Sequence, residues 1–313
     1  MIQLKVCFIG IGSIGKRHIK NLASLCIKRD IQLQIDVLRA TLREIPEDIS
    51  LFISNEYQGL EQIDSFYDAV FITNPTFLHY KTIGLLKHHA KNFFVEKPVF
   101  SDTEHSIEEL NLPQSNQYYV ACPLRYSKVL QDAKEFVMEY RPISIRAICS
   151  SYLPDWRAGV DYRETYSAHK EQGGGCRIDL IHEWDYLVWM LGMPEEVYSF
   201  SGKYSDLEVD SEDLAVYIAR YKSFLAELHL DYFGRLTERK VEIYTAEETR
   251  VFDIVNGKVF KNGKLVCAYE ENANDKYIRE MEYFLDIING KNGSCNNLQG
   301  ALDVLKLAGS NIT

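Results

Sequence analysis

The chain has 313 residues, 46% of them apolar and 26% charged, with a formal net charge of −10. That length suits two ordinary domains, each able to bury a core without covalent staples. The acidic balance disfavours a nucleic-acid partner, which would be gripped by clustered Lys and Arg, and no apolar run approaches the roughly 20 residues of a membrane-spanning helix.

In chain order, Lys5-Val6-Cys7-Phe8-Ile9 reads as a strand, Arg17 to Leu22 as part of a helix, and Leu33 to Leu38 as a second strand. Asp68 to Thr73 and Asn92 to Glu96 read as buried strands flanking a helix near Thr76 to His89, and Tyr118 to Ala121 as one more strand. This βαβ alternation predicts an α/β Rossmann domain with a parallel sheet over residues 1–121. The second half changes character. Ile143 to Ile148 and Leu214 to Arg220 alternate apolar and polar residues, as antiparallel strands buried on one face do, and Asn256-Gly257 and Asn262-Gly263 mark hairpin turns. Helices are predicted over Asp179 to Leu191, Lys276 to Ile288 and Leu298 to Leu307. Residues 122–313 are therefore expected to form an α+β domain with a large, mostly antiparallel open sheet. Seven cysteines without a CxxC pair or a Cys/His ligand spacing argue against a disulfide framework and demand no metal. With an N-terminus that enters a strand directly, a reducing cytoplasm is the expected location.

Gly10-Ile11-Gly12-Ser13-Ile14-Gly15 directly follows a strand and opens a helix, the context that makes a GxGxxG a dinucleotide loop. Gly10 permits the tight turn, Gly12 lets backbone approach a pyrophosphate, and Gly15 allows close helix packing. At the end of the second strand, where an acid would hold the ribose hydroxyls of NAD, the chain has Arg39, with Thr41 and Arg43 nearby. A guanidinium suits a 2′-phosphate, so NADP is expected, with NAD as the alternative. The missing acid also counts against a methyltransferase.

Taken with Thr73-Asn74-Pro75-Thr76 and His79, Glu96-Lys97-Pro98, Leu124-Arg125-Tyr126, and Gly173-Gly174-Gly175 leading to Asp179, His182 and Asp185, the loop makes the chain resemble the glucose-fructose oxidoreductase/inositol dehydrogenase (Gfo/Idh/MocA) family. The resemblance implies that Thr73, Asn74, Pro75, His79 and Glu96 lie along the cofactor, and that Lys97 hydrogen-bonds the substrate oxygen on the carbon that exchanges hydride. It places Asp179, His182 and Tyr186 on a polar helix face toward substrate, with His182 as acid/base and Asp179 orienting it. Imidazole titrates near neutral pH, which fits that task. Here His182 lies three residues after Asp179, and Glu183 occupies the four-residue position, so Glu183 is a reserve candidate. Arg125 either touches substrate or, preferably, braces structure. The segment from Tyr152 to Tyr166, with Trp156, Arg157 and Tyr162, suits stacking and hydrogen bonding to a polyol. The run Asp179-Leu180-Ile181-His182-Glu183-Trp184-Asp185-Tyr186 resembles a subgroup associated with bacterial surface-sugar biosynthesis. The function implied is a dehydrogenase or reductase of a sugar, sugar nucleotide or cyclic polyol, working as a homodimer or homotetramer through the C-terminal sheet. The alternative is a catalytically silent dinucleotide-binding sensor of the same fold.

Overall fold

A computed structural model describes residues 2–39 and 45–309. The first βαβ pattern becomes β1 (Ile2–Ile9), α1 (Ser13–Lys28), β2 (Ile31–Leu38), a short α2 (Glu47–Ser50) and β3 (Ile53–Tyr57). Then come β4 (Tyr67–Ile72), α3 (His79–Leu86), β5 (Ala90–Val95) and β6 (Gln117–Val120). The six strands pair in parallel in the order β3-β2-β1-β4-β5-β6. The order reverses between β1 and β4, so the turns after these strands flank the crevice where such sheets bind ligands. The helix expected from Thr76 starts as a 3-10 turn, Thr76–Leu78, before α3 takes over.

The other strands build a separate eight-stranded sheet. Its elements are α4 (Lys128–Glu139), β7 (Ser144–Tyr152), α5 (Cys176–Asp179), α6 (His182–Leu191), β8 (Glu196–Gly202), β9 (Leu214–Arg220), β10 (Leu225–Asp231) and β11 (Phe233–Tyr244). β12 (Thr249–Asp253), β13 (Lys258–Lys261) and β14 (Lys264–Ala268) complete it. The order is β14-β13-β12-β11-β7-β10-β9-β8; β10 and β7 run parallel, and the other neighbours run antiparallel. Asn262 and Gly263 both have positive φ, 48° and 79°, which gives the two-residue hairpin turn the sequence announced between β13 and β14. One expectation needs correction. The helix expected over Asp179 to Leu191 is broken at Leu180 and Ile181, so Asp179 ends α5 while His182 begins α6.

α7 (Asp275–Ile288) and α8 (Leu298–Gly309) close the chain. The molecule divides into two compact units, Met1–Ala121 with Lys276–Leu302, and Cys122–Asp275 with Asp303–Thr313. The second domain expected over 122–313 is thus interrupted, for a reason found in the parallel sheet. Phe8, Phe71, Phe94 and Tyr119 stand opposite one another on β1, β4, β5 and β6, and this aromatic stripe must be covered. α7 covers it: Phe284 packs edge-on at 5.3 Å from Phe71 and 5.1 Å from Phe94, and Glu280 accepts a hydrogen bond from the Tyr119 hydroxyl at 3.0 Å. Phe284→Ala is therefore expected to lower stability by about 3–5 kcal/mol. The check is a denaturant melt in which fluorescence and circular dichroism report the loss together.

Candidate functional site

In the first unit, the ends of β1, β4 and β5 bring the glycine loop, Thr73-Asn74 and Glu96-Lys97 to neighbouring positions at one edge of the sheet. Gly10 has φ +91°, and a Cβ there would stand 2.9 Å from Asn74 Cα. The Thr73 hydroxyl donates to the Gly10 carbonyl at 2.5 Å, locking the two turns together. A Cβ on Gly15 would lie 2.6 Å from the Gly10 carbonyl oxygen, so this position needs close packing. Gly12 differs: its added Cβ would meet nothing within 4 Å, and Ser13 and Ile14 follow in the first turn of α1. Open space over exposed backbone at a helix N-terminus fits a pyrophosphate. Asn74 adds an acceptor to the cradle. Its Nδ2 donates to Thr82 Oγ1 at 3.0 Å, while its Oδ1 is buried without a hydrogen-bond partner, an arrangement a bound amide or hydroxyl donor would complete.

His79 is fully buried. Its Nδ1 lies 3.1 Å from the Val99 carbonyl and its Nε2 3.0 Å from the Asn74 carbonyl, so the ring ties the Asn74 turn to the segment after Pro98. Burial holds its pKa below the usual histidine value. Pro75 is exposed beside Asn74. Glu96 Oε1 takes a hydrogen bond from His18 Nε2 at 2.6 Å, and Oε2 accepts the Lys97 backbone N–H at 3.1 Å. Burial would raise the Glu96 pKa, but His18 and Lys97 together hold it below the usual value. Lys97 is half-buried and is followed by Pro98 through a cis peptide bond.

Just beyond the end of β2, Arg39 grips Glu56 with both Nε (2.6 Å) and Nη2 (3.0 Å). The sequence reading missed Glu56, because β3 reaches the Arg39 position only through the sheet. Thr41 and Arg43 lie outside the described residues. Asp36 is buried and accepts from Asn55 at 2.8 Å and Tyr67 at 2.9 Å, so it serves the core.

In the second unit, Asp179 is buried and its Oδ2 accepts the Tyr232 hydroxyl at 2.7 Å; Tyr166 also hydrogen-bonds it. Burial, then the Asp179 charge, pushes both phenols well above the usual tyrosine pKa. Trp156 stands edge-on to Tyr232 at 5.2 Å and donates Nε1 to Ser151 at 2.9 Å. Arg157 lies over the Tyr166 ring at 5.6 Å. Trp156, Arg157 and Asp179 are thus brought together through two tyrosines, one of them, Tyr232, 53 residues beyond Asp179 and absent from the sequence reading. Tyr162 points elsewhere, its hydroxyl accepting the Glu208 N–H at 3.0 Å. Gly174 packs against this segment: its added Cβ would lie 2.3 Å from the Tyr166 carbonyl oxygen.

His182 is half-buried at the start of α6, whereas Glu183 has no exposed side chain and pairs with Arg239 Nε at 2.7 Å. Burial therefore removes Glu183 from the reserve role, because a fully covered, ion-paired carboxylate cannot meet a substrate hydroxyl. Tyr186 is buried too, so it does not share an open face with His182. Arg125 is buried in a bidentate pair with Asp185, Nε to Oδ2 at 2.9 Å and Nη2 to Oδ1 at 2.6 Å. It braces α6.

Residues 4–121 match a family model described as an oxidoreductase family with an NAD-binding Rossmann fold, and residues 131–249 match the corresponding GFO/IDH/MocA C-terminal domain. The scyllo-inositol 2-dehydrogenase (NAD(+)) of Bacillus subtilis is 25% identical over 207 residues, 64% of this chain and 57% of that protein. An uncharacterized oxidoreductase of Synechocystis sp. is 28% identical over 147 residues, 45% of this chain and 39% of that protein. The chain thus matches less than two thirds of the length of these relatives. Among solved structures, levoglucosan dehydrogenase in complex with NADH and L-sorbose has the same fold at TM-score 0.82 and 18% identity, over 98% of this chain and 95% of that one. So does the scyllo-inositol dehydrogenase of Lactobacillus casei with NAD(H) and scyllo-inositol, at TM-score 0.74 and 19% identity, with 98% and 95% covered.

The two glycines separate stability from binding. Gly10→Ala strains a left-handed position and should cost about 1–3 kcal/mol in a thermal melt. Gly12→Ala should leave the melt unchanged and weaken binding of the reduced dinucleotide in a fluorescence titration.

Proposed function

Because the chain belongs to the Gfo/Idh/MocA oxidoreductase family, we propose that it is a nicotinamide-dependent dehydrogenase or reductase acting on a hydroxyl-bearing carbon, or its ketone, of a sugar, sugar nucleotide or cyclic polyol. The observation that carries this reading is the cradle of Gly10 to Gly15 with Thr73-Asn74 and Glu96-Lys97 at adjoining strand ends. The cofactor supplies or accepts hydride at the reacting carbon. Lys97 is assigned to hydrogen-bond the substrate oxygen and stabilise the charge that develops on it. His182 is assigned to take the hydroxyl proton in oxidation and return it in reduction. Asp179 keeps the Tyr166–Tyr232 cluster polar beside Trp156 and Arg157, groups suited to a polyol. Structural relatives that carry sugar or polyol names support the substrate class, including a UDP-N-acetylglucosamine 3-dehydrogenase from Acidithiobacillus ferrooxidans at TM-score 0.75. A role in surface-carbohydrate synthesis belongs to the same reading.

Cofactor choice turns on Arg39 and Glu56. Arg39 favours the 2′-phosphate of NADP, whereas Glu56 brings the kind of carboxylate that a ribose hydroxyl of NAD would use. A second copy of the chain is the proposed partner, supported by Tyr198 on β8, opposite Ile218 on β9, and Phe200 two residues further along β8, all exposed on one face. The described cysteines are free, in keeping with a reducing cytoplasm, and no helix among the described residues is long and apolar enough to cross a membrane.

Lys97→Met is expected to remove turnover across a panel of polyols and sugar nucleotides, followed by absorbance of the reduced cofactor, while leaving cofactor binding near normal. A wild-type protein that binds cofactor yet turns over nothing in the panel would instead be the silent sensor. Arg39→Ala should weaken NADPH relative to NADH by about tenfold or more, the worth of a charged bidentate contact. Glu56→Gln should shift the ratio the other way. Competitive titration of the two reduced cofactors reads both.

A further inference from the structure

His18 lies outside the residues assigned to cofactor and substrate. It lies in the second turn of α1, six residues after Gly12, on a helix face otherwise made of Ile19, Leu22 and Cys26. The side chain is completely buried, a costly place for an imidazole without a partner. The ring stands edge-on to Phe94 at 4.8 Å and to Tyr277 of α7 at 6.4 Å. Its Nε2 donates to Glu96 Oε1 at 2.6 Å while Nδ1 has no hydrogen-bond partner. One ring nitrogen is thus left unsatisfied so that the other can hold the carboxylate. The second oxygen of that carboxylate accepts the backbone N–H of Lys97 at 3.1 Å.

We propose that His18 is a positioning residue: through Glu96 it fixes the backbone of Lys97 to the helix whose N-terminus forms the phosphate cradle. The inference rests on the reading of Lys97 as the residue that meets the substrate oxygen. It adds a mechanical link. α1 carries the cradle at one end and, one and a half turns later, the ring that anchors Glu96, so the pyrophosphate site and Lys97 share one rigid body. Without His18, Glu96 loses its anchor, the Lys97 backbone loses a fixed acceptor, and the ammonium samples positions away from the reacting oxygen. Displacements near 1 Å can cost about a hundredfold in rate.

The test compares His18→Phe, which keeps the aromatic volume but cannot donate, with His18→Gln, whose amide can donate from nearly the same place, in the full-length protein. Hydrogen–deuterium exchange of the Lys97 amide, read by mass spectrometry without cofactor or substrate, should quicken in His18→Phe and return toward wild type in His18→Gln, with β4 residues 67–72 unchanged in both. Turnover should fall about ten- to hundredfold in His18→Phe with NADH affinity retained, and recover in His18→Gln. Glu96→Leu, which has the size but can accept neither hydrogen bond, should match His18→Phe in Lys97 exchange and turnover, and the double variant should be no slower than either single one. Equal quickening over residues 67–72, or unchanged Lys97 exchange in a folded His18→Phe, would overturn the proposal by making His18 a packing residue. If His18→Phe does not fold, Glu96→Leu decides by the exchange of the Lys97 amide against that of residues 67–72. Lys97→Met separates the two claims: if it keeps full turnover, the reading of Lys97 has failed as well, whereas lost turnover there with normal rates in His18→Phe sinks this proposal alone.

Discussion

A parallel sheet has to be covered on both faces, because its strands carry apolar side chains on each. In this chain one face presents Phe8, Phe71, Phe94 and Tyr119 in register across four strands. The local βαβ connections supply α1 to that face, and α7 supplies the rest, with Phe284, Met281 and Leu285 buried. Much else follows from this covering. Tyr277 from α7 packs with His18, His18 holds Glu96, and Glu96 holds the backbone of Lys97. The aromatic stripe is therefore both the core of the first unit and the support beneath the Lys97 backbone.

The features legible in the sequence were the local ones. The glycine loop announces itself because turn, close approach and helix start fall within six residues, and the strands flanking it are short apolar runs with the right spacing. The Asn262-Gly263 hairpin is legible for the same reason: two residues with positive φ determine it. The features that stayed hidden are contacts between distant segments. Glu56 meets Arg39 only because β3 and β2 are neighbours, and Tyr232 meets Asp179 across 53 residues of chain. Nor could periodicity find the break at Leu180 and Ile181. The apolar spacing runs through it, while Asp179, the last residue of α5, is held by the hydroxyl of Tyr232 from a distant strand end. Nothing in the order of α7 says which sheet it will cover.

The second unit shows how charge is spent to hold polar side chains in place. Arg125 with Asp185 and Arg239 with Glu183 bury four charged groups around α6. Such pairs contribute little net stability, since desolvation offsets much of the attraction, but losing one partner is severe. Their value here is geometric. They fix the rotation of α6, and with it the place of His182, more firmly than apolar contacts that could slide. Burial pushes the neighbouring Cys149 thiol up to about 12, helped by the Glu183 charge, so this nest holds no reactive thiol at neutral pH.

The chain passes from the first unit to the second after Ala121, returns before Lys276 and leaves again after Leu302. A single cut at residue 121 would therefore yield a fragment that keeps the entire glycine loop but uncovers the part of the aromatic stripe that α7 shields, an adhesive surface beside the dinucleotide loop. Recombination at that seam would do the same. Within this chain, a segment about 150 residues downstream of Ala121 completes the part of the fold that the first strands begin.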